Sequence, residues 1–363
     1  MLDFTLDAEQ QMLADTIGRF SQERMRKVFR DADEAEELPA DVVREGWEIG
    51  LLPTSLPEKY GGFGEHSAVT GAVAVEEFAW GDLAGTLAIM APSTVAIPVM
   101  LCGTEAQKET YLPLFTDMEM PAVTAALTEP RVQYDPRHLA TTATRQNGHY
   151  VLEGTKTMVP LAGVSETFLV YAAEDGNTQA FFVPAGTEGL QITGREKLMG
   201  VRALPTFGLK LEKVTVPAEN KLGGETGINF DLILNHSRVA LGAAAVGLAR
   251  AGFEYAREYA KNRRQFGEPI AHRQSIAFML ANMAIDVDAA RLMVWETAWL
   301  MDKGQDVTRE ATVMKHFIDD MVLNVADRAV QTLGGYGYIR EYPVELWLRN
   351  ARGFATFDGL ALV

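Results

Sequence analysis

Residues that could do chemistry are few in this 363-residue chain and lie far apart. Glu76 and Glu77 stand side by side next to an apolar helical face, which suits either acid/base work or an ion-paired surface. Arg238 sits inside the apolar run LILNHSRVALGAAAVG, where a charge needs a partner, and a structural ion pair is one answer. Asp358 precedes Gly359, a pair that on its own reads as a turn. Arg263 and Arg264 close a helical run beside Gln265 and Phe266, and cations at a helix C-terminus are favourable for dipole reasons alone. The six histidines are scattered, none in a ligand spacing with Cys or carboxylates, so no metal site is expected. The single cysteine, Cys102, excludes an intrachain disulfide, reads as core filler and fits a reducing compartment.

The elements that position these residues change character twice. Residues 1–120 read as an N-terminal α-helical domain. Asp7 can cap a helix starting at Ala8, and Pro39 to Gly50 and Ser67 to Phe78 are amphipathic runs. Ala84 to Leu101 is apolar and broken by Pro92 and Pro98, hence a buried helix. Residues 121–225 read as a β domain, a small barrel or sandwich. Asn147-Gly148 and Asp175-Gly176 each separate two β-type runs, the strongest short hairpin signal.

Residues 226–363 read as a helical bundle, making the chain α+β. A helical run should end near Phe266-Gly267, since Pro269 cannot continue it, and another should begin at Ala271. Ile276, Leu280, Met283, Val287, Ala290 and Val294 form one bundle seam, and Met314, Ile318, Met321 and Val325 another. Gly304 joins the two helices, which should lie antiparallel. The formal charge of −16 argues against a nucleic-acid partner. No segment reaches the roughly 18 apolar residues of a membrane span. The N-terminus is acidic and polar rather than a signal peptide, and a cytoplasmic location is expected.

Ordered motifs give a more specific reading. DFTLDAEQQ from Asp3, PEKYGGFG from Pro57, GTEAQKETYLPL from Gly103, ALTEP from Ala126, RRQFGEPI from Arg263, and QTLGGYGY from Gln331 with EYPV from Glu341 follow one another along nearly the whole chain. This series resembles the acyl-CoA dehydrogenase family. The resemblance implies an N-terminal helical domain, a middle β domain and a C-terminal four-helix bundle. It implies FAD lying between the β domain and the bundle, with its adenosine end reaching a neighbouring subunit. It further implies an acyl-CoA substrate, dimers or tetramers, homo- or hetero-oligomeric, and electron-transfer flavoprotein among the partners.

The family's dehydrogenation needs a carboxylate that takes the α-proton of a thioester while hydride leaves the β-carbon for flavin. Often that base is a glutamate in a Y-E-G-T turn. Here the turn reads Phe357-Asp358-Gly359-Leu360, so Asp358 is the candidate base, one methylene shorter. The alternative base position of the family is Ser237, which cannot serve. By resemblance, Asn235 and Arg238 line the acyl-CoA cleft. Leu127, Thr128, Met158 and Val159 fall where the family contacts its own flavin; Arg263, Gln265, Phe266, Gln331, Gly334 and Gly335 fall where it contacts a neighbour's. The first set departs from the family pattern: Arg131 and Tyr134 replace small residues, Met158-Val159-Pro160 stands for W-I-T, and Leu360 for threonine. The chain stops at Val363, before the helix that usually follows. Three readings follow: a dehydrogenase using Asp358, an FAD-deficient subunit supporting the FAD site of an active partner chain, or a nitroalkane-oxidase-like flavin oxidation.

Overall fold

Asp7 opens the first helix with a reciprocal cap: its carboxylate accepts the Gln10 N–H at 2.8 Å and the Gln10 side chain accepts the Asp7 N–H. The computed structural model describes residues 5–363, so the expectation for Asp3 lies outside the described residues. Eight helices lead to the sheet: α1 (Ala8–Phe20), α2 (Arg26–Ala35), α3 (Ala40–Glu48), α4 (Leu51–Ser55), α5 (Ala68–Gly81), α6 (Leu83–Met90), α7 (Ser93–Cys102) and α8 (Glu105–Tyr111). Ser67 caps α5, and Asp82 caps α6 by accepting the Gly85 N–H. The break between α6 and α7 falls at Ala91-Pro92, where the axis bends by 43°. Pro98 does not break the chain as expected but lies inside α7, whose residues through Val99 are buried. Packing on all sides there outweighs the roughly 3 kcal/mol propensity cost of one proline.

The middle of the chain is one seven-stranded sheet: β1 (Val123–Ala126), β2 (Thr142–Gln146), β3 (His149–Pro160), β4 (Thr167–Glu174), β5 (Asn177–Pro184), β6 (Leu190–Arg195) and β7 (Thr206–Pro217). Asn147-Gly148 and Asp175-Gly176 make the two expected hairpin turns, all four residues having positive φ. β1 and β2 share one edge of β4, both parallel to it, and β5 runs antiparallel along the other. β4 reads TFLVYAAE because both its faces are covered. Leu169 and Tyr171 pack towards the helices, while Phe168, Val170 and Ala172 face the sheet's own core.

α9 (Phe230–Asn262) is the axis of the C-terminal part, followed by a hairpin of β8 (Arg264–Gln265) and β9 (Glu268–Pro269), then α10 (Gln274–Asp302), α11 (Thr308–Leu333) and α12 (Val344–Ala351). The run of α9 ends at Asn262, not near Phe266-Gly267, and α10 begins at Gln274, not Ala271. Phe266 (φ 54°) and Gly267 (φ 87°) form a tight turn instead, so the Gly-Pro pair marks a hairpin rather than a helix stop. Gly304 joins α10 to α11 as expected. The α11 seam is fully buried, whereas the α10 seam is buried only from Met283 onward. α5 crosses α9 at Gly247, where any Cβ would lie 2.2 Å from the Glu76 carbonyl oxygen. Among the described residues, α9 is long and apolar enough by composition to cross a membrane, contrary to expectation, but 94% of that window is buried inside the fold.

Candidate active site

Asp358 sits in a turn that three elements hold. Phe354 and Phe357 bury their rings 5.4 Å apart on the helical side. The Gly359 N–H donates to the Ser237 hydroxyl of α9 at 2.8 Å, and the Thr128 hydroxyl, just past β1, donates to the Asp358 carbonyl at 3.3 Å. Gly359 has φ 82°, and a Cβ there would meet Leu127 at 2.7 Å, so the turn admits only glycine. Ser237 therefore anchors the acid turn.

The side chains around this turn leave polar atoms unpaired. Asp358 Oδ1, Tyr134 Oη and Arg238 Nε are all buried without a hydrogen-bond partner. Burial pushes the Tyr134 phenol well above its usual range, and the nearby Asp358 charge pushes it further. Burial pulls the Arg238 guanidinium down while the Asp358 carboxylate opposes the change. Arg238 is tied to α11 by a 2.8 Å bond to the Thr312 hydroxyl. Beneath the turn, burial raises the Asp319 carboxyl, partly answered by Lys315 at 2.6 Å. Asn235, one turn before Arg238, donates to Thr308 at 3.1 Å and keeps a buried, unpaired Oδ1. It lines a cleft of about 530 Å³ with Asp231, Gln305 and Asp306.

A buried pair fixes the strand behind Thr128. Lys156 is fully buried and donates to the Leu127 carbonyl and the Glu129 carboxylate, both at 3.0 Å. Burial draws the Lys156 amine down to about 8, with Glu129 opposing. The burial that would raise Glu129 is outweighed by Lys156 and by the N–H groups of Ala140 and Thr141, so it stays below its usual range. Arg131 folds back onto Glu129 and the His138 carbonyl. Met158 (φ 56°) commits its N–H to the Glu196 carboxylate at 3.1 Å, and Val159 turns its side chain into the sheet core. Glu76 and Glu77 are the ion-paired face, Glu76 accepting from Arg250 and Arg291 and Glu77 from Arg250. Cys102 is half-buried and free.

The remaining sequence-derived residues assemble elsewhere. Arg263, Gln265, Gln331, Gly334 and Gly335, with Tyr259 and Tyr336, line an open cleft of about 540 Å³. The Arg263 guanidinium lies 5.1 Å over the Tyr336 ring, and Phe266 is exposed on the hairpin turn. At 1.5 Å per residue, α9 carries Arg263 about 37 Å from Arg238, so one chain does not bring the two sets together. Sequence reasoning also missed the tail, Leu360–Val363, which is buried to the last residue, with the main-chain oxygen of Val363 accepting from His236 Nδ1. Its apolar composition was the available signal.

Three family models cover the chain: Acyl-CoA dehydrogenase, N-terminal domain, over residues 7–119; middle domain, over 124–214; and C-terminal domain, over 230–361. The chain belongs to the acyl-CoA dehydrogenase family. It is 34% identical to an acyl-CoA dehydrogenase of Bacillus subtilis over 97% of this chain and 94% of that relative. It is 31% identical to a short-chain-specific acyl-CoA dehydrogenase of Clostridium acetobutylicum, covering 100% and 97%. Butyryl-CoA dehydrogenase from Megasphaera elsdenii superposes with a TM-score of 0.89 at 31% identity, covering 98% and 96%. As a member of this family the chain is a flavin-dependent oxidoreductase, and these relatives favour neither the FAD-deficient-subunit nor the nitroalkane-oxidase-like reading. The site fits a flavin through side chains rather than β3: Pro160 has no N–H and that of Met158 is taken, whereas Asp358 Oδ1 is buried and unpaired and Tyr134 Oη lies buried beside the Thr128 hydroxyl.

Proposed function

We propose that this chain dehydrogenates an acyl-CoA thioester between its α- and β-carbons, with FAD as the flavin. Asp358 takes the α-proton on its carboxylate. Ser237 and Thr128 hold that carboxylate in place through the backbone of its turn. Arg238 keeps a cation beside it, and Asn235 binds the thioester's carrier portion at the cleft mouth. When bound, FAD would supply the acceptor for the β-hydride; Leu127, Thr128 and Tyr134 would hold its ring end, whereas Met158 and Val159 are committed to Glu196 and to the sheet core. The observation that carries this reading is the Asp358 Oδ1 atom, buried and unpaired in a turn fixed from two sides.

The cleft of Arg263, Gln265, Phe266, Gln331, Gly334 and Gly335 serves, in this reading, the FAD of a neighbouring copy, since it lies about 37 Å from Arg238 along α9. Arg263 suits a phosphate there, being able to bind it bidentately. The active form is accordingly an oligomer. Reoxidation by an electron-transfer flavoprotein belongs to the same proposal; a 33% identical relative from Acetobacterium woodii is a subunit of a caffeyl-CoA reductase-Etf complex. The test is anaerobic mixing of the purified protein with saturated acyl-CoA esters. Bleaching of the flavin with formation of the enoyl ester is expected. An unbleached flavin with every ester tried would refute the proposal.

A further inference from the structure

One face of α11 is polar where it meets the candidate site. The helix buries its apolar seam through Ala311, Met314, Ile318 and Met321. Thr308, Thr312, Lys315 and Asp319 recur in steps of four, three and four, so they share a second face. Three of them each hold one group of the site. Thr308 accepts from the Asn235 amide at 3.1 Å, Thr312 accepts from the Arg238 guanidinium at 2.8 Å, and Lys315 donates to the Phe354 carbonyl at 3.1 Å. The two threonine hydroxyls spend their own protons on Asp306 and on the Thr308 carbonyl, which leaves their oxygens to the site as acceptors. Asp319, the fourth member, holds Lys315 itself at 2.6 Å.

Phe354 opens the short helical turn Phe354–Thr356 that delivers Phe357 and then Asp358. Its carbonyl also accepts the Phe357 N–H at 3.3 Å, so the oxygen that Lys315 grips carries the residue before the acid. Thr128 and Ser237 hold the turn at Asp358 and beyond it; Lys315 holds it on the approach side. The Lys315 side chain is only 13% exposed, and the Asp319 carboxylate balances its charge and directs it. A long lysine stem loses rotamer freedom when it is fixed in this way. The charge-assisted bond to the carbonyl and the ion pair together offset that loss.

We propose that Lys315 is a positioning residue for the dehydrogenation, fixing the approach to the acid turn and so the place where Asp358 meets the α-carbon. The inference rests on the acyl-CoA reading above. Removing the ammonium should lower the chemical step about tenfold, the low end for a hydrogen bond from a charged donor, since the group is not fully buried.

The test compares Lys315→Met, Lys315→Arg and the double variant Lys315→Met with Asp319→Asn. Stopped-flow reduction of the flavin by acyl-CoA reads the chemical step, and calorimetry on the oxidised holoenzyme reads acyl-CoA affinity. Deuterium exchange of the peptide carrying Phe354 to Leu360, without substrate, reads the turn itself. Lys315→Met should slow reduction about tenfold, keep affinity within about threefold, and speed exchange in that peptide. Lys315→Arg keeps a charged donor and should recover part of both effects. The double variant no longer strands the Asp319 carboxylate, yet its Phe354 carbonyl still lacks the donor, so it should stay slow. Should Lys315→Met fail to fold, the double variant, which removes both charges, carries the same comparison. A wild-type rate or wild-type exchange in Lys315→Met overturns the inference and leaves the acyl-CoA reading standing. So does full recovery of the rate in the double variant, because the loss would then come from the stranded carboxylate. An equal fall in affinity and rate also overturns it. A wild-type flavin that no acyl-CoA ester reduces overturns the reading itself, and the inference with it.

Discussion

Replacing Ser237 by alanine removes the hydroxyl that accepts the Gly359 N–H at 2.8 Å. Ser237 is 1% exposed, so no water readily replaces the lost acceptor. A buried N–H left without a partner costs about 1–3 kcal/mol, an upper bound for the half-buried Gly359 N–H. If that cost falls on the arrangement with the turn in register, the productive position of Asp358 is depopulated about 5- to 150-fold. The change touches neither Arg238 nor Asn235, so acyl-CoA affinity should stay within about threefold. Stopped-flow reduction of the flavin by acyl-CoA measures the chemical step, and titration of the oxidised protein measures affinity. Ser237→Thr keeps the acceptor and should recover part of the rate, limited by one extra buried methyl. Equal reduction rates for wild type and Ser237→Ala would refute the argument that this bond positions the acid. A parallel loss of affinity and rate would mean that the hydroxyl acts on binding instead.

Two further expectations concern stability. Burial raises the Asp82 carboxyl to about 6 even though it caps α6 and lies near Arg26. A raised acid pKa means the native state holds the extra proton, so stability falls as pH rises from about 4 to about 6, and the full cost, about 3 kcal/mol, is present above that window. Asp82→Asn keeps an N-cap acceptor and should raise the thermal midpoint at pH 7–8 but not near pH 4; equal effects at both would contradict the assignment. Lys156→Met leaves the buried Glu129 carboxylate with only the partly exposed Arg131 as counter-charge and should cost about 3 kcal/mol in urea denaturation, the low end for a broken buried pair. Adding Glu129→Gln should recover a large part of that loss.

Legibility in the sequence followed the range of the interaction. Asp7 and the two hairpin turns act within three or four residues, and each was readable. The same local rules misread Gly267 and Pro98. Gly-Glu-Pro serves a hairpin turn as well as a helix stop, and a fully packed helix tolerates its proline. Asp358 was reachable as a candidate only through the resemblance, because the groups around it come from distant elements: Thr128 beyond β1, Tyr134 from a loop, and Ser237 and Arg238 from α9. Arg131 stands where the family has a small residue, and the structure spends it on Glu129, two residues away, and on the His138 carbonyl. The separation of the two flavin-contacting sets became a distance only once α9 was seen to run unbroken from Phe230 to Asn262.

The most direct measurement of the central claim is the single-turnover rate of flavin reduction by acyl-CoA in Asp358→Asn. The amide keeps the shape of the side chain but cannot take the α-proton. A positioned base contributes about 10²–10⁴-fold, so the rate should fall by that factor while flavin content and acyl-CoA affinity stay near wild type. A rate within about twofold of wild type would show that Asp358 is not the base and would contradict the account.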